Sequence, residues 1–92
     1  MNKSYVKGAR FERQVAEYLR NKGFMVVRSA GSRFPDLIAI RDGMVLAIEV
    51  RLRRDFFDND TINRLLELSK QYRIKVAIAY REHGNVVVRV LH

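Results

Sequence analysis

The sequence predicts an α+β, or α/β, sandwich in which two helices are segregated from a five-stranded mixed sheet, in the order αβββαββ. Three observations carry that reading. Two runs repeat apolar residues at helical spacing; five short runs are rich in β-branched residues; and turn signals separate those runs, two of them reading as hairpins. With 92 residues the chain is expected to form one domain, 1–92. A chain of this size buries only about 60 to 65% of its surface, so dimerisation would add stability.

Helix one is predicted from about Gly8 to Lys22, because Phe11, Val15, Tyr18 and Leu19 recur at helical spacing with Arg10, Arg13, Glu17 and Arg20 between them. Gly23 is expected to end it, since glycine readily takes the left-handed backbone that closes a helix. Phe24 to Ser29, Asp36 to Arg41 and Met44 to Val50 read as three strands, the last two joined by a tight turn at Arg41-Asp42-Gly43. Asp58-Asn59-Asp60 offers capping oxygens to a second helix, on which Ile62, Leu65, Leu66, Ser69 and Tyr72 mark one face. Ile74 to Tyr80 and Val86 to Leu91 supply two more strands around a second hairpin turn, Glu82-His83-Gly84-Asn85.

Eighteen Lys and Arg against ten Asp and Glu give a net charge of +8, which favours a polyanionic partner, with nucleic acid fitting best. Thirteen of those cations are arginine, a bias that suits bidentate contacts to phosphate. The absence of cysteine excludes disulfides, thiolate metal sites and cysteine nucleophiles. Met1-Asn2-Lys3-Ser4 leads into charged residues with no apolar stretch behind it, so neither a signal peptide nor a membrane span is expected. A cytoplasmic, nucleoid-associated protein is the expectation.

Three carboxylates hold most of the chemical information. Glu12 lies in the basic amphipathic helix, Asp36 opens an apolar strand after Pro35, and Glu49 closes the next strand within Ala47-Ile48-Glu49-Val50-Arg51. A carboxylate among Leu37, Ile38, Val45, Leu46 and Ile48 is costly to desolvate unless it binds a cation or a donor. Taken singly, each has an ordinary reading: Glu12 as part of a solvated helix face, Asp36 as a strand-start cap and Glu49 as an edge-strand charge.

Lys7-Gly8-Ala9-Arg10-Phe11-Glu12-Arg13, Val27-Arg28-Ser29-Ala30-Gly31-Ser32, Pro35-Asp36-Leu37 and Ile48-Glu49-Val50-Arg51 together resemble the archaeal Holliday-junction resolvases. Those enzymes are restriction-endonuclease-like nucleases, whose signature is Asp, a spacer, then Glu or Asp, any residue, Lys. The resemblance is dense from Lys7 to Arg51 and extends loosely to Tyr80. It implies a restriction-endonuclease-like core in which Glu12, Asp36 and Glu49 bind one or two Mg²⁺ ions, for which Mn²⁺ could substitute, with the Val50 carbonyl completing the site. Such hard oxygens suit Mg²⁺, which retains waters that can be activated, so phosphodiester hydrolysis is the expected reaction. Ser32 matches a serine placed beside the active site, and an ordinary turn serine is the alternative.

Arg51 departs from the signature, which asks for lysine two residues past the glutamate and on the same strand face. A guanidinium supplies charge but cannot give up a proton under usable conditions. Lys70 and Lys75 are other sources of an amine. Arg10, Arg13, Arg28, Arg33, Arg53 and Arg54 cluster in sequence around the three carboxylates and are expected to track the backbone of branched DNA. By resemblance, Arg13 and Arg28 fall where phosphates are held.

The resemblance implies a homodimer, since cutting two opposed strands of a four-way junction needs two sites related by a two-fold axis. Ile62, Leu65, Leu66, Tyr72, Val86, Val87, Val88 and Val90 are candidates for its contact, with core packing as the alternative. Phe56 and Phe57 are expected to pack under their loop or at that contact. The expected function is therefore structure-selective, metal-dependent resolution of Holliday junctions. Three alternatives stay open: junction binding with weak or no cleavage because of Arg51, a related nuclease acting on flaps, nicks or single strands, and a general nucleic-acid-binding module with no metal.

Overall fold

Helix α1, Lys3–Asn21, places Phe11, Val15, Ala16 and Leu19 on one stripe, and all four are essentially buried. The structure is a computed structural model that describes residues 3–92, the side chains of residues 3–7 and of Ser32 lying outside the described ones. The helix starts five residues before the predicted Gly8, a glycine that interrupts neither its backbone nor its packing. It closes as expected at Gly23, where φ is +89° and the Gly23 and Phe24 N–H groups donate to the carbonyls of Arg20 and Leu19, at 3.0 and 3.1 Å.

Five strands follow: β1 Met25–Arg28, β2 Leu37–Arg41, β3 Met44–Val50, β4 Lys75–Glu82 and β5 Asn85–Val90. They form one sheet in sequence order, every pair antiparallel except β3 with β4, which run parallel. The exception has a simple cause. Adjacent strands joined by tight turns must reverse direction, whereas β3 and β4 are joined through helix α2, Asn59–Tyr72, which carries the chain back along the opposite sheet face. Asp58 caps α2 by accepting from the Thr61 N–H at 2.8 Å. Short 3₁₀ turns at Ala30–Ser32 and Arg54–Phe56 occupy the loops after β1 and β3.

Strand alternation divides the core in two. Leu37, Ala39, Leu46, Ile48, Val50, Ala77 and Ala79 meet α1, while Ala47, Val76, Ile78 and Tyr80 meet Leu65 of α2. The predicted face of the second helix needs correction. Leu65 is fully buried with Ile62 and Leu68 packed beside it, while Leu66 and Tyr72 are exposed, so the stripe follows i, i+3, i+6. The final strand is also core: Val86 and Val88 pack on the α1 side and Val87 on the α2 side. Of the suggested dimer contacts, Phe56, Leu66, Tyr72 and Val90 remain as exposed large apolar residues. Among the described residues no helix is long and apolar enough to cross a membrane.

Candidate active site

The antiparallel pairing of β2 with β3, which sets Leu37 opposite Ile48, brings Asp36 alongside Glu49. Each carboxylate is then fixed by the backbone of the other's segment. The Asp36 N–H donates to Glu49 Oε1 at 3.0 Å, and the Val50 N–H donates to Asp36 Oδ2 at 2.9 Å. Ser29 anchors the approach to β2, its N–H donating to the Asp36 carbonyl and its hydroxyl to the Pro35 carbonyl. This reciprocal strapping specifies carboxylate positions without any ligand, because neither side chain can swing without leaving a backbone donor unpaired.

Arg51 closes the cluster. Its Nη1 lies 2.7 Å from Glu49 Oε2, 2.9 Å from the Val50 carbonyl oxygen and 3.6 Å from Asp36 Oδ2. Its guanidinium also lies near the Phe57 ring, 5.8 Å from the centroid. Phe57 in turn meets Tyr80 edge-on, so it packs under its loop as expected, while Phe56 is exposed. Glu49 is only 4% exposed and is the one buried charged residue among those described. Burial pushes its pKa from 4.5 to about 7, the neighbouring Asp36 pushes in the same direction, and Arg51 opposes both.

Glu12 reaches the same place from α1. With Asp36, Glu49, Val50, Arg51 and Arg28 it lines a cavity of about 450 Å³. The expected meeting of three carboxylates at one point is not what the structure shows. Glu12 Oε1 is engaged by Arg28 Nε at 3.3 Å, and among the described residues no three His, Cys, Asp or Glu side chains are grouped closely enough to hold an ion together. The physical reason is local charge pairing: an arginine on β1 takes the helix carboxylate, and an arginine after β3 takes the strand pair. The oxygens that do converge are Asp36 Oδ2, Glu49 Oε2 and the Val50 carbonyl, all directed at one cationic nitrogen. That donor set is hard, oxygen-only and already cation-binding, and so fits Mg²⁺ or Mn²⁺.

The expected basic residues separate into groups. Arg28 lines the cavity, whereas Arg10 and Arg53 line a second groove of about 730 Å³ with Arg81, Gln14 and Phe56. Arg53 is paired with Asp55 at 3.1 Å. Arg13, Arg33 and Arg54 are exposed and line neither space. The Ser32 side chain lies outside the described residues. Lys70 and Lys75 do not approach the carboxylates: both line a different groove, and Lys75 pairs with Leu46 at the far end of β3 from Val50.

Sequence reasoning missed two participants. Arg81 entered no candidate set because β4 was expected to end at Tyr80; it continues to Glu82, which carries the Arg81 guanidinium over the Phe11 ring and within 3.3 Å of Gln14 Oε1. Ser29 stands in the sequence as a strand end and as part of the Val27–Ser32 run, and neither pattern announces its bonds to the Pro35 and Asp36 carbonyls.

The model of the archaeal Holliday junction resolvase (Hjc) family matches residues 3–92. Among curated proteins, the crossover junction endodeoxyribonuclease Hjc of Methanocaldococcus jannaschii is 34% identical over 90 residues, spanning 95% of this chain and 68% of its own length. The protein of the same name from Sulfurisphaera tokodaii is 36% identical over 61 residues, spanning 60% of this chain and 42% of its own. A solved structure of Archaeoglobus fulgidus Hjc, described as a Holliday junction resolvase from an archaeal hyperthermophile, matches with a TM-score of 0.74 at 29% identity, covering 91% of this chain and 70% of that one.

Proposed function

This chain belongs to the archaeal Holliday junction resolvase family, and from that premise we propose that it resolves four-way DNA junctions as a divalent-metal-dependent endonuclease acting as a homodimer. The observation that carries the proposal is the convergence of two carboxylates and a backbone carbonyl on one point within a cleft that arginines flank.

Asp36, Glu49 and the Val50 carbonyl are the groups that would hold Mg²⁺ or Mn²⁺, with Glu12 across the cleft. When bound there, the ion supplies positive charge for a scissile phosphodiester and a means of activating water at neutral pH. The protein's own groups do the rest. Arg28 and Arg51 stand where a phosphate entering the cleft would find fixed positive charge, and charge held ready in a partly enclosed site stabilises a pentacovalent phosphorane better than mobile solvent does. Arg51 does this as a permanent cation, so proton removal from the attacking water falls to a carboxylate or to solvent. Arg10, Arg53 and Arg81 give the second groove positive charge, a path for another stretch of DNA backbone. Two opposed cuts in a two-fold symmetric junction require two copies of this site, which supports the dimer.

The test is strand cleavage on labelled four-way junction, flap and linear duplex, with Mg²⁺, Mn²⁺ or a chelator. Wild type should cut the junction in preference to the others and only with metal, while Asp36→Asn and Glu49→Gln should bind junction and leave it intact. Cleavage that persists in chelator, or in both variants, removes the metal-site reading. A second reading, junction binding with little cleavage, is favoured by the position of Arg51 on the would-be ligands. Arg51→Lys decides between them: a large gain marks an attenuated nuclease, and silence of both proteins on every substrate marks a binding protein.

A further inference from the structure

The oxygens suited to a divalent ion are already serving a cation. A single nitrogen, Arg51 Nη1, lies within 3.6 Å of Asp36 Oδ2, Glu49 Oε2 and the Val50 carbonyl oxygen. Mg²⁺ requires oxygens at about 2.0 to 2.1 Å, so an ion sharing these ligands would collide with the guanidinium both sterically and electrostatically. The two cations exclude each other.

We propose that Arg51 is an exchangeable internal cation that occupies the divalent-ion position until metal displaces it, and that it then turns toward the phosphate of the bound DNA. The inference rests on the metal-dependent reading above and goes beyond it in making metal binding an exchange. Three features of the site support the exchange. Without a cation, Asp36 and Glu49 would face each other as paired negative charges, one of them buried, and the guanidinium relieves that repulsion. The Arg51 side chain is 35% exposed, whereas those of Asp36 and Glu49 are 12% and 6% exposed, so the arginine is the member free to leave. Its own backbone position is pinned, with the Arg51 N–H donating to the Ala79 carbonyl at 3.0 Å, so the motion is a swing of the side chain alone into the open cavity. A DNA phosphate there would give the displaced guanidinium a new anion, and each of metal and DNA would then strengthen binding of the other.

The experiment is calorimetric titration of Mn²⁺ into metal-free wild type, Arg51→Ala, Arg33→Ala and Asp36→Asn, with thermal melts to establish that each is folded. Arg51→Ala should bind Mn²⁺ about 5-fold or more tightly than wild type, the lower end of ordinary coupling between two ligands. Arg33→Ala, which removes an exposed charge that does not line the cavity, should change affinity by less than about twofold. The Arg51 Nε–H resonance should also move on saturating wild type with diamagnetic Mg²⁺. Equal affinities in wild type and Arg51→Ala, weaker binding in Arg51→Ala, or an equal gain in Arg33→Ala each overturn the exchange while leaving the metal site standing. Absence of binding in every folded protein overturns the exchange together with the metal-dependent reading.

Discussion

Glu49 is the residue on which the site's physical chemistry turns. It is nearly inaccessible to water, faces Asp36, and accepts from two donors, the Asp36 N–H and Arg51 Nη1, which do not outweigh its burial. Its pKa, raised from 4.5 to about 7, has a definite consequence for stability. Between those values the folded chain binds the proton that the unfolded chain has released, so this contribution is fully present below about 4.5 and is lost as the pH rises through about 7. In metal-free protein, Glu49→Gln removes that dependence. Urea unfolding should therefore show the variant gaining on wild type between about pH 5 and about pH 8, and a constant difference across that window would show that Glu49 does not titrate there. Glu49 and Asp36 were legible in the sequence because a carboxylate inside an apolar run is conspicuous. What straps them to each other was not, since the Asp36 and Val50 N–H groups are backbone donors that every residue but proline possesses.

Among the elements, helix α2 shows how periodicity alone can select the wrong stripe. Ile62, Leu65 and Leu68 face the sheet, although Leu66, Ser69 and Tyr72 satisfy helical spacing equally well. The sheet decides, because Val76, Ile78 and Tyr80 present an apolar surface to only one side of the helix. Leu65→Ala should accordingly cost about 2 to 4 kcal/mol, read as a fall in the urea midpoint at unchanged slope, whereas Leu66→Ala should cost well under about 1 kcal/mol. At the start of the same helix, Asp58→Ala removes the acceptor for the Thr61 N–H and should lower the thermal midpoint, with Asp58→Asn recovering most of the loss. Hydrogen bonding to Thr61 holds the Asp58 pKa below 3.8, so this stabilisation is present above that value and fades as the pH falls through the lower one.

At the scale of the molecule, a net charge of +8 on 92 residues sets how the protein meets DNA. The groove holding Arg10, Arg53 and Arg81 is a basic surface, whereas the cavity where β2 begins and β3 ends sets Glu12, Asp36 and Glu49 against Arg28 and Arg51. If about six to eight phosphates are neutralised, the logarithm of junction affinity should fall against the logarithm of salt with a slope of roughly −5 to −7. A flat salt response would mean that the arginines do not follow the DNA backbone. Substituting Arg81 should weaken binding to all substrates alike and reduce the slope by about one, since a phosphate contact carries no sequence or shape information.

The sequence alone determined the order of elements, the nature of the partner and the identity of the two strand carboxylates. Those properties follow from local periodicity, total charge and the cost of placing a charge in an apolar run, none of which needs to know which segments touch. Only the tertiary structure decided that Glu12 pairs with Arg28, that Arg51 lies on the oxygens of Asp36, Glu49 and Val50, and that Arg81 joins Arg10 and Arg53. Ion pairing acts over a few ångströms between segments distant in sequence, so the partner of each charge is set by strand register and helix placement.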